Sequence, residues 1–213
     1  MKAHKINYAC LNIQDQSVAP FTTDATGWGN YIAYNRILKF YNYLTSNYNF
    51  KKSVIIAGGS MGGLTMGELA YKKPFPIAFC LGIGPVPGLE IIWNNAPSRR
   101  PAIRNSFGMP ADGSDDVSLS TYIQGYDWYK MGKLDFGTYS VKVGFPNLYM
   151  LYGIDNTFNV DFGGVTQYNE IRDMINKSGV YCLVSTNNAA SHADPTLYDH
   201  AISLEIFGKE LGV

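Results

Sequence analysis

The chain has 213 residues, of which 46% are hydrophobic and 16% are charged, and its 17 basic and 17 acidic residues balance to zero net charge. This composition is typical of a globular protein and gives enough length for one α/β domain over residues 1–213. The absence of a basic face argues against nucleic-acid partners, and no run of 18 apolar residues suggests a membrane span.

The first elements are a short strand over residues 6–13, a loop over 14–30 and an amphipathic helix over 31–48. The start of the chain lacks the apolar core of a secretory signal. Three cysteines at irregular spacing favour free, buried thiols over a disulfide framework. We therefore expect a cytoplasmic protein.

The next two elements are a strand over residues 53–57 and a helix over 62–71, and they enclose the sequence Gly-Gly-Ser-Met-Gly. A G-x-S-x-G between a strand and a helix is a nucleophile elbow, a sharp turn that holds a serine hydroxyl at a helix N-terminus. The glycines allow strain and close approach of the flanking elements. We take Ser60 as the candidate nucleophile, and the Met61 N–H as one donor to an oxyanion.

A mostly apolar strand over residues 77–83 follows, as in a parallel sheet that is buried on both faces. Regular patterns then decay over residues 84–145, with five prolines before residue 111 and short helices expected near 89–94 and 120–131. A segment of this length is more often functional than a plain connection. We expect this segment to form a cap over Ser60. We also expect Trp93 and Trp128 of the segment, and Trp28 of the earlier loop, to contact substrate.

A strand over residues 147–152 is followed by Asp155, which we take as the acid that orients a catalytic histidine. Asp161 and Asp194 are the alternatives. After a helix over 165–177 and a strand over 180–185, His192 lies in a loop that can reach the elbow if both follow parallel strands. His4 and His200 are less suitable, since one precedes the first strand and the other falls in a terminal helix over 195–211.

The alternating elements predict an open, mostly parallel sheet with helices on both faces. The order Ser60, Asp155, His192 and the elbow sequence resemble the esterases and acyl-peptidases of the α/β-hydrolase superfamily. The sequence Leu-Tyr-Gly-Ile-Asp at 151–155 is similar to the acid loop of that family, with Tyr152 where histidine is common.

This resemblance implies a serine hydrolase that cleaves a small acyl or carbohydrate ester through an acyl-enzyme, without metal or organic cofactor. A peptidase or a thioesterase would use the same triad. The competing class is a non-catalytic hydrolase-like domain that binds a ligand or forms part of a larger protein.

The family fold has several strands before the elbow strand, and a loop after one of them supplies a second oxyanion donor. Here one strand, over residues 6–13, is predicted before the elbow strand, and no His-Gly-Gly sequence occurs. Three explanations fit. The chain is a fragment, or it is a compact variant whose loop at Gly27, Trp28 and Gly29 donates the second N–H, or it is a degenerate fold retained for binding.

Overall fold

The computed structural model describes residues 28–50, 52–137, 144–155, 157–187 and 205–211, with isolated positions at 191, 192, 194, 196 and 197. The predicted strand over 6–13 lies outside these residues, as do His4, Cys10 and His200. No helix within the described ranges is long and apolar enough to cross a membrane.

Four parallel strands form a sheet in the order β1-β2-β3-β4. Their bounds are β1 Val54–Gly59, β2 Ile77–Ile83, β3 Asn147–Gly153 and β4 Cys182–Asn187. Gly59 pairs with Ile83, Ile83 with Leu151, and Gly153 with Asn187, so the carboxyl ends of the strands lie at one edge. In a parallel sheet this is the edge where functional loops gather.

Eight α-helices occur among the described residues. They are α1 Tyr31–Asn47, α2 Gly62–Lys72, α3 Leu89–Asn95, α4 Arg100–Phe107, α5 Leu119–Tyr122, α6 Trp128–Gly137, α7 Gly164–Lys177 and α8 Ile206–Leu211. Short 3₁₀ turns cover Pro97–Arg99 and Asp116–Ser118, and a π-helical turn covers Thr157–Asp161. Strands and helices thus alternate along most of the chain, as the sequence predicts.

The two faces of the sheet bury different sets of side chains, because successive residues of a strand point to opposite faces. On β3, Leu148, Met150 and Tyr152 join the large core that includes residues of α2, α3, α6 and α7. Tyr149 and Leu151 join a smaller core with Leu197 and Ile206. The sheet is therefore covered on both faces, and the predicted α/β architecture is confirmed.

Two predicted helices are wrong in their extent. The helix expected over 120–131 is two helices, α5 and α6, separated by a segment in which Gly125 has φ +78°. The terminal helix expected over 195–211 is interrupted at Glu205, whose φ of +53° is left-handed. Continuous helices cannot contain such residues, so the chain restarts at α8.

The sequence does not predict helix α4, because the prolines around it are typical of irregular structure. Pro101 occupies the first turn of this helix. A proline there loses no intrahelical hydrogen bond and its fixed φ suits the helix. The segment over 84–145 consequently contains more regular structure than its sequence suggests.

Helix α2 carries an ion pair between a buried glutamate and a partly exposed lysine. Lys72 Nζ donates to Glu68 Oε1 at 2.6 Å, and the Glu68 side chain is fully buried. The Lys72 ammonium also lies 4.6 Å and 4.7 Å from the ring centroids of Tyr34 and Tyr126. Burial raises the pKa of Glu68 from 4.5 to about 7, although the lysine acts in the opposite direction.

Candidate active site

Ser60 is held in a strained backbone conformation between β1 and α2. Its φ is +47°, which is uncommon for a residue with a Cβ. The Ser60 N–H donates to Ile83 O at 3.2 Å, and the Ser60 carbonyl accepts from Gly63 N and Val86 N, both at 2.9 Å. These three hydrogen bonds fix the residue on both sides of the strained peptide, as a preorganised site requires.

Two glycines of the elbow are required for space. A Cβ on Gly58 would lie 2.6 Å from the carbonyl oxygen of Gly62, and one on Gly63 would lie 2.3 Å from Pro85 Cβ. By contrast, nothing lies within 4 Å of the Cβ position of Gly62. The close approach of strand, helix and Pro85 turn therefore depends on Gly58 and Gly63, while Gly62 is sterically free.

The turn at Pro85 is braced from the sheet and from α7. The hydroxyls of Tyr152 and Tyr168 both donate to the Pro85 carbonyl, at 3.2 Å and 3.1 Å. Both side chains are buried, and burial raises the pKa of each hydroxyl, so each keeps its proton. Phe158 lies against both rings. Tyr152 thus supports the turn that binds the Ser60 carbonyl through Val86.

His192 lies next to the serine hydroxyl. Its Nε2 is 3.0 Å from Ser60 Oγ, and its ring meets the Phe162 ring edge-on with centroids 4.9 Å apart. Burial is the main reason that the pKa of His192 lies below 6.5; the charge of Arg99 adds to this, and Asp155 and Asp161 oppose it. A neutral imidazole at this position can accept a proton from Ser60.

Asp155 contacts His192 through the backbone. Its Oδ2 accepts the His192 N–H at 2.6 Å, and its Oδ1 accepts the Phe158 N–H at 2.9 Å. Within the described residues, no acceptor is found for the buried Nδ1 of His192. The expected hydrogen bond from the ring nitrogen to the carboxylate is therefore not formed here, and the carboxylate holds His192 through its backbone N–H instead.

The two alternative acids differ in their surroundings. Asp194 accepts the Thr196 N–H at 2.8 Å and the Thr196 hydroxyl at 2.7 Å, so it acts as a turn residue. Asp161 is close enough to raise the pKa of His192 by its charge. Of the three acids considered, Asp155 is the one that hydrogen-bonds His192 directly.

Met61 is the N-cap residue of α2, directly after the serine. Its N–H belongs to the helix N-terminus, where backbone donors favour negative charge. The loop considered as a second donor packs beside the same helix, since a Cβ on Gly29 would lie 2.8 Å from Leu64 Cβ. Gly27 lies outside the described residues, and the second donor stays a prediction.

The three tryptophans assigned to substrate contact are part of the core. Trp28, Trp93 and Trp128 are 4%, 6% and 2% exposed. The Trp128 ring covers Gly67 of α2 so closely that a Cβ there would lie 2.4 Å from its atoms. These side chains therefore pack in the core, and the predicted contact with substrate is wrong. The prediction rested on large aromatic residues in and near a segment without a regular pattern.

Other reactive groups are few in the part of the chain that the structure describes. No group of three or more His, Cys, Asp or Glu side chains there could hold a metal ion. Cys80 and Cys182 are free and buried, and burial raises the pKa of both thiols. Such thiols are poor nucleophiles.

The parallel sheet and the strand–turn–helix around Ser60 define an α/β-hydrolase fold. Solved structures of that fold are similar to this chain. They include an S-formylglutathione hydrolase from Agrobacterium tumefaciens, with 17% identity and a TM-score of 0.55 over 80% of this chain and 56% of that one. The fluorophosphonate-binding serine hydrolase F of Staphylococcus aureus also has 17% identity and a TM-score of 0.55, over 84% of this chain and 63% of that one.

A Pyrococcus furiosus esterase has 14% identity and a TM-score of 0.51, over 88% of this chain and 63% of that one. The chain thus spans less than two thirds of the length of each of these three structures. At these identities the likeness shows the fold alone. At the level of sequence, no family model and no curated protein matches the chain.

Proposed function

We propose that this protein is a serine hydrolase that cleaves a carboxylic ester, with Ser60 as nucleophile, His192 as general base and acid, and Asp155 as the residue that positions His192. The observation that carries the proposal is the 3.0 Å distance between His192 Nε2 and Ser60 Oγ on a strained elbow. A serine hydroxyl is a weak nucleophile unless a base lies within hydrogen-bond reach.

In the first half of the reaction, Ser60 Oγ attacks the ester carbonyl carbon while His192 Nε2 takes the hydroxyl proton. The Met61 N–H donates to the oxyanion of the tetrahedral intermediate, supported by the N-terminus of α2. The intermediate collapses, the bond to the leaving oxygen breaks, and His192 returns the proton to the departing alcohol.

In the second half, water attacks the acyl-enzyme and loses a proton to His192. The acid product leaves as Ser60 regains its proton. Both halves start from a neutral imidazole, and the low pKa of His192 keeps that form populated at neutral pH. Asp155 holds the backbone of His192 by a 2.6 Å hydrogen bond, so the ring stays within reach of Ser60 throughout.

The ester is the leading substrate class, and two other acyl transfers fit the same groups. Proteins of the same fold include a prolyl endopeptidase, which has 17% identity to this chain and is covered by it over 25% of its length. A thioesterase would use the same attack with a thiolate leaving group. Small acyl groups are favoured over long-chain lipids because the segment over 84–145 carries a polar turn cluster at residues 112–116.

The competing class is a hydrolase-like binding domain without activity. The lack of a described hydrogen-bond partner for His192 Nδ1 favours the non-catalytic hypothesis, because Asp155 then does not stabilise an imidazolium directly. Labelling by a fluorophosphonate separates the two classes, since the probe reacts with an activated serine and not with an ordinary one.

We expect a fluorophosphonate to label the wild type and leave Ser60→Ala unlabelled. His192→Ala should be labelled far more slowly. Ser53→Ala is the matched control, because Ser53 is an exposed serine just before β1, and it should be labelled like the wild type. Turnover of 4-nitrophenyl acetate should fall by at least about 10³-fold in Ser60→Ala. An unlabelled, folded wild type would overturn the proposal.

A further inference from the structure

Three arginines follow α3, and two of them are engaged within the fold. Arg100 Nε donates to the Trp93 carbonyl at 2.9 Å, and its guanidinium lies 5.4 Å from the Trp93 ring centroid. Arg104 donates two hydrogen bonds to Asp116. The side chain of Arg99 is exposed and makes no ion pair or hydrogen bond with any residue that the structure describes. Arg99 is therefore the cation that remains available to a ligand.

Packing brings the segment that carries Arg99 to the wall of the site. Arg99 ends the turn after α3, and α3 packs against the π-helical turn Thr157–Asp161. The amide nitrogen of Asn95 lies 3.4 Å from the Cβ position of Gly163. Phe162, the neighbour of Gly163, contacts the ring of His192. The segment that carries Arg99 thus shares this wall with His192.

The electrostatics agree with this placement, since the positive charge of Arg99 helps to lower the pKa of His192. Two carboxylates also act on the ring. Asp155 already accepts two N–H groups, from His192 and Phe158, and Asp161 is half-buried. Arg99 is thus an exposed positive charge on a segment that borders the site. The opposing negative charge of Asp161 is not engaged by a described hydrogen bond.

We propose that Arg99 is a specificity-determining residue that binds a carboxylate on the leaving-group side of the ester, so that the preferred substrates are esters of hydroxy acids. The leaving group is placed here because His192 returns its proton to the leaving oxygen, which must therefore lie against the imidazole. A guanidinium presents a planar fork of donors that matches a carboxylate. This inference rests on the proposed function.

The test compares two acetate esters whose phenolic leaving groups differ in charge and match in basicity. They are 3-(4-acetoxyphenyl)propanoate and its primary amide, in which two methylene groups insulate the ring from the charge. At pH 8 and low salt, we expect the wild type to prefer the anion in kcat/KM. The preference should fall three- to tenfold in Arg99→Ala, mainly through KM, because exposed ion pairs are modest and screened by salt.

Two further variants complete the test. Arg99→Glu should reverse the preference, and Arg172→Ala should leave it unchanged, because Arg172 is a surface arginine on α7 that pairs with Asp173. Raising the salt to 0.5 M should reduce the wild-type preference toward that of Arg99→Ala. Asp161→Asn should increase the preference, since it removes the opposing charge.

The outcomes separate this inference from the proposed function. If both esters are hydrolysed and the preference is the same in Arg99→Ala as in the wild type, the role of Arg99 is wrong and the hydrolase stands. If neither ester is hydrolysed by a folded wild type that also fails to react with a fluorophosphonate, both proposals are overturned. A larger effect of Arg99→Ala on esters with the carboxylate in the acyl group would contradict the leaving-group side.

Discussion

The two halves of the proposed site are positioned by different kinds of contact. Ser60 is fixed by three backbone hydrogen bonds and by glycines that leave no room for a side chain. His192 is fixed by one carboxylate, which accepts its backbone N–H. The three partners of the serine backbone are Ile83 at the end of β2, Val86 just after that strand, and Gly63 in the first turn of α2. The histidine depends on a contact between residues 37 positions apart.

Both residues are held by contacts that are distant in sequence, but the turn that carries Ser60 is also marked by the glycines next to it. A strained turn with obligatory glycines has few sequence solutions, so the nucleophile's place can be recognised from a handful of residues. Among the described residues, His192 is contacted by the Asp155 carboxylate and the Phe162 ring, and neither belongs to the elbow. We therefore expect elbow substitutions to act on folding, and histidine-side substitutions to act on catalysis.

The largest effect should come from Gly63→Ala. The added Cβ would meet Pro85 at 2.3 Å, and Pro85 is held in turn by two tyrosines. We expect a loss of about 3 kcal/mol in the free energy of unfolding, as for severe overpacking. Chemical denaturation measures it. Gly62→Ala is the control and should be within about 1 kcal/mol of the wild type, because its Cβ position is open. Equal losses would show that the elbow is not held by this contact.

The next effect concerns Asp155. Asp155→Ala should lower kcat/KM for 4-nitrophenyl acetate about 100-fold, since the His192 loop loses its anchor, while the unfolding midpoint changes little. Asp155→Asn keeps one oxygen acceptor for a backbone N–H and should lose only about tenfold. Asp173→Ala, an exposed acid on α7, is the control. If the asparagine and alanine variants lose activity equally, the carboxylate acts through its charge and not through the backbone.

A smaller effect is expected from the tyrosines that brace the Pro85 turn. Tyr152→Phe and Tyr168→Phe should each cost about 1 kcal/mol of stability, because one donor still satisfies the carbonyl. The double variant should cost more than the sum, since the buried Pro85 carbonyl then has neither donor. A double-mutant cycle by denaturation measures the coupling, and simple additivity would argue against a shared acceptor.

The smallest effect is on the pH dependence of kcat/KM. His192 must be neutral to act as base, and its pKa is lowered, so the acid limb should lie below pH 6.5. Arg99→Ala removes one cause of the lowering and should move the limb to higher pH. Asp161→Asn removes an opposing charge and should move it to lower pH. If the acid limb of the pH profile lies at the same pH in both variants as in the wild type, neither Arg99 nor Asp161 acts on the pKa of His192.

The sequence predicts the elbow well because its chemistry is local. An apolar run predicts the bounds of β2 at residues 77–83. The spacing of the glycines predicts that the serine lies between β1 and α2. Helix α4 could not be foreseen, since a proline in a first turn looks like a helix breaker until the turn is seen. The bond from Asp155 to the His192 backbone could not be foreseen either. Sequence spacing brings two residues to one sheet edge without saying which atoms meet.

The raised pKa of Glu68 makes the stability of the fold depend on pH. An ordinary glutamate has a pKa of 4.5, and burial raises the pKa of Glu68 to about 7. Between these two pH values the folded chain therefore holds a proton that the unfolded chain has released. Stability from this group is therefore greatest below pH 4.5, falls by about 3 kcal/mol as the pH rises to 7, and is level above that.

The contribution of Glu68 to the stability of the fold is thus greatest in acid, whereas His192 can act as the proposed base only without its proton. One group with a raised pKa and one with a lowered pKa leave an interval in which both conditions hold. In that interval Glu68 is protonated and His192 is neutral, so the fold keeps the stability that this buried carboxyl contributes while the proposed base is in the form that accepts a proton.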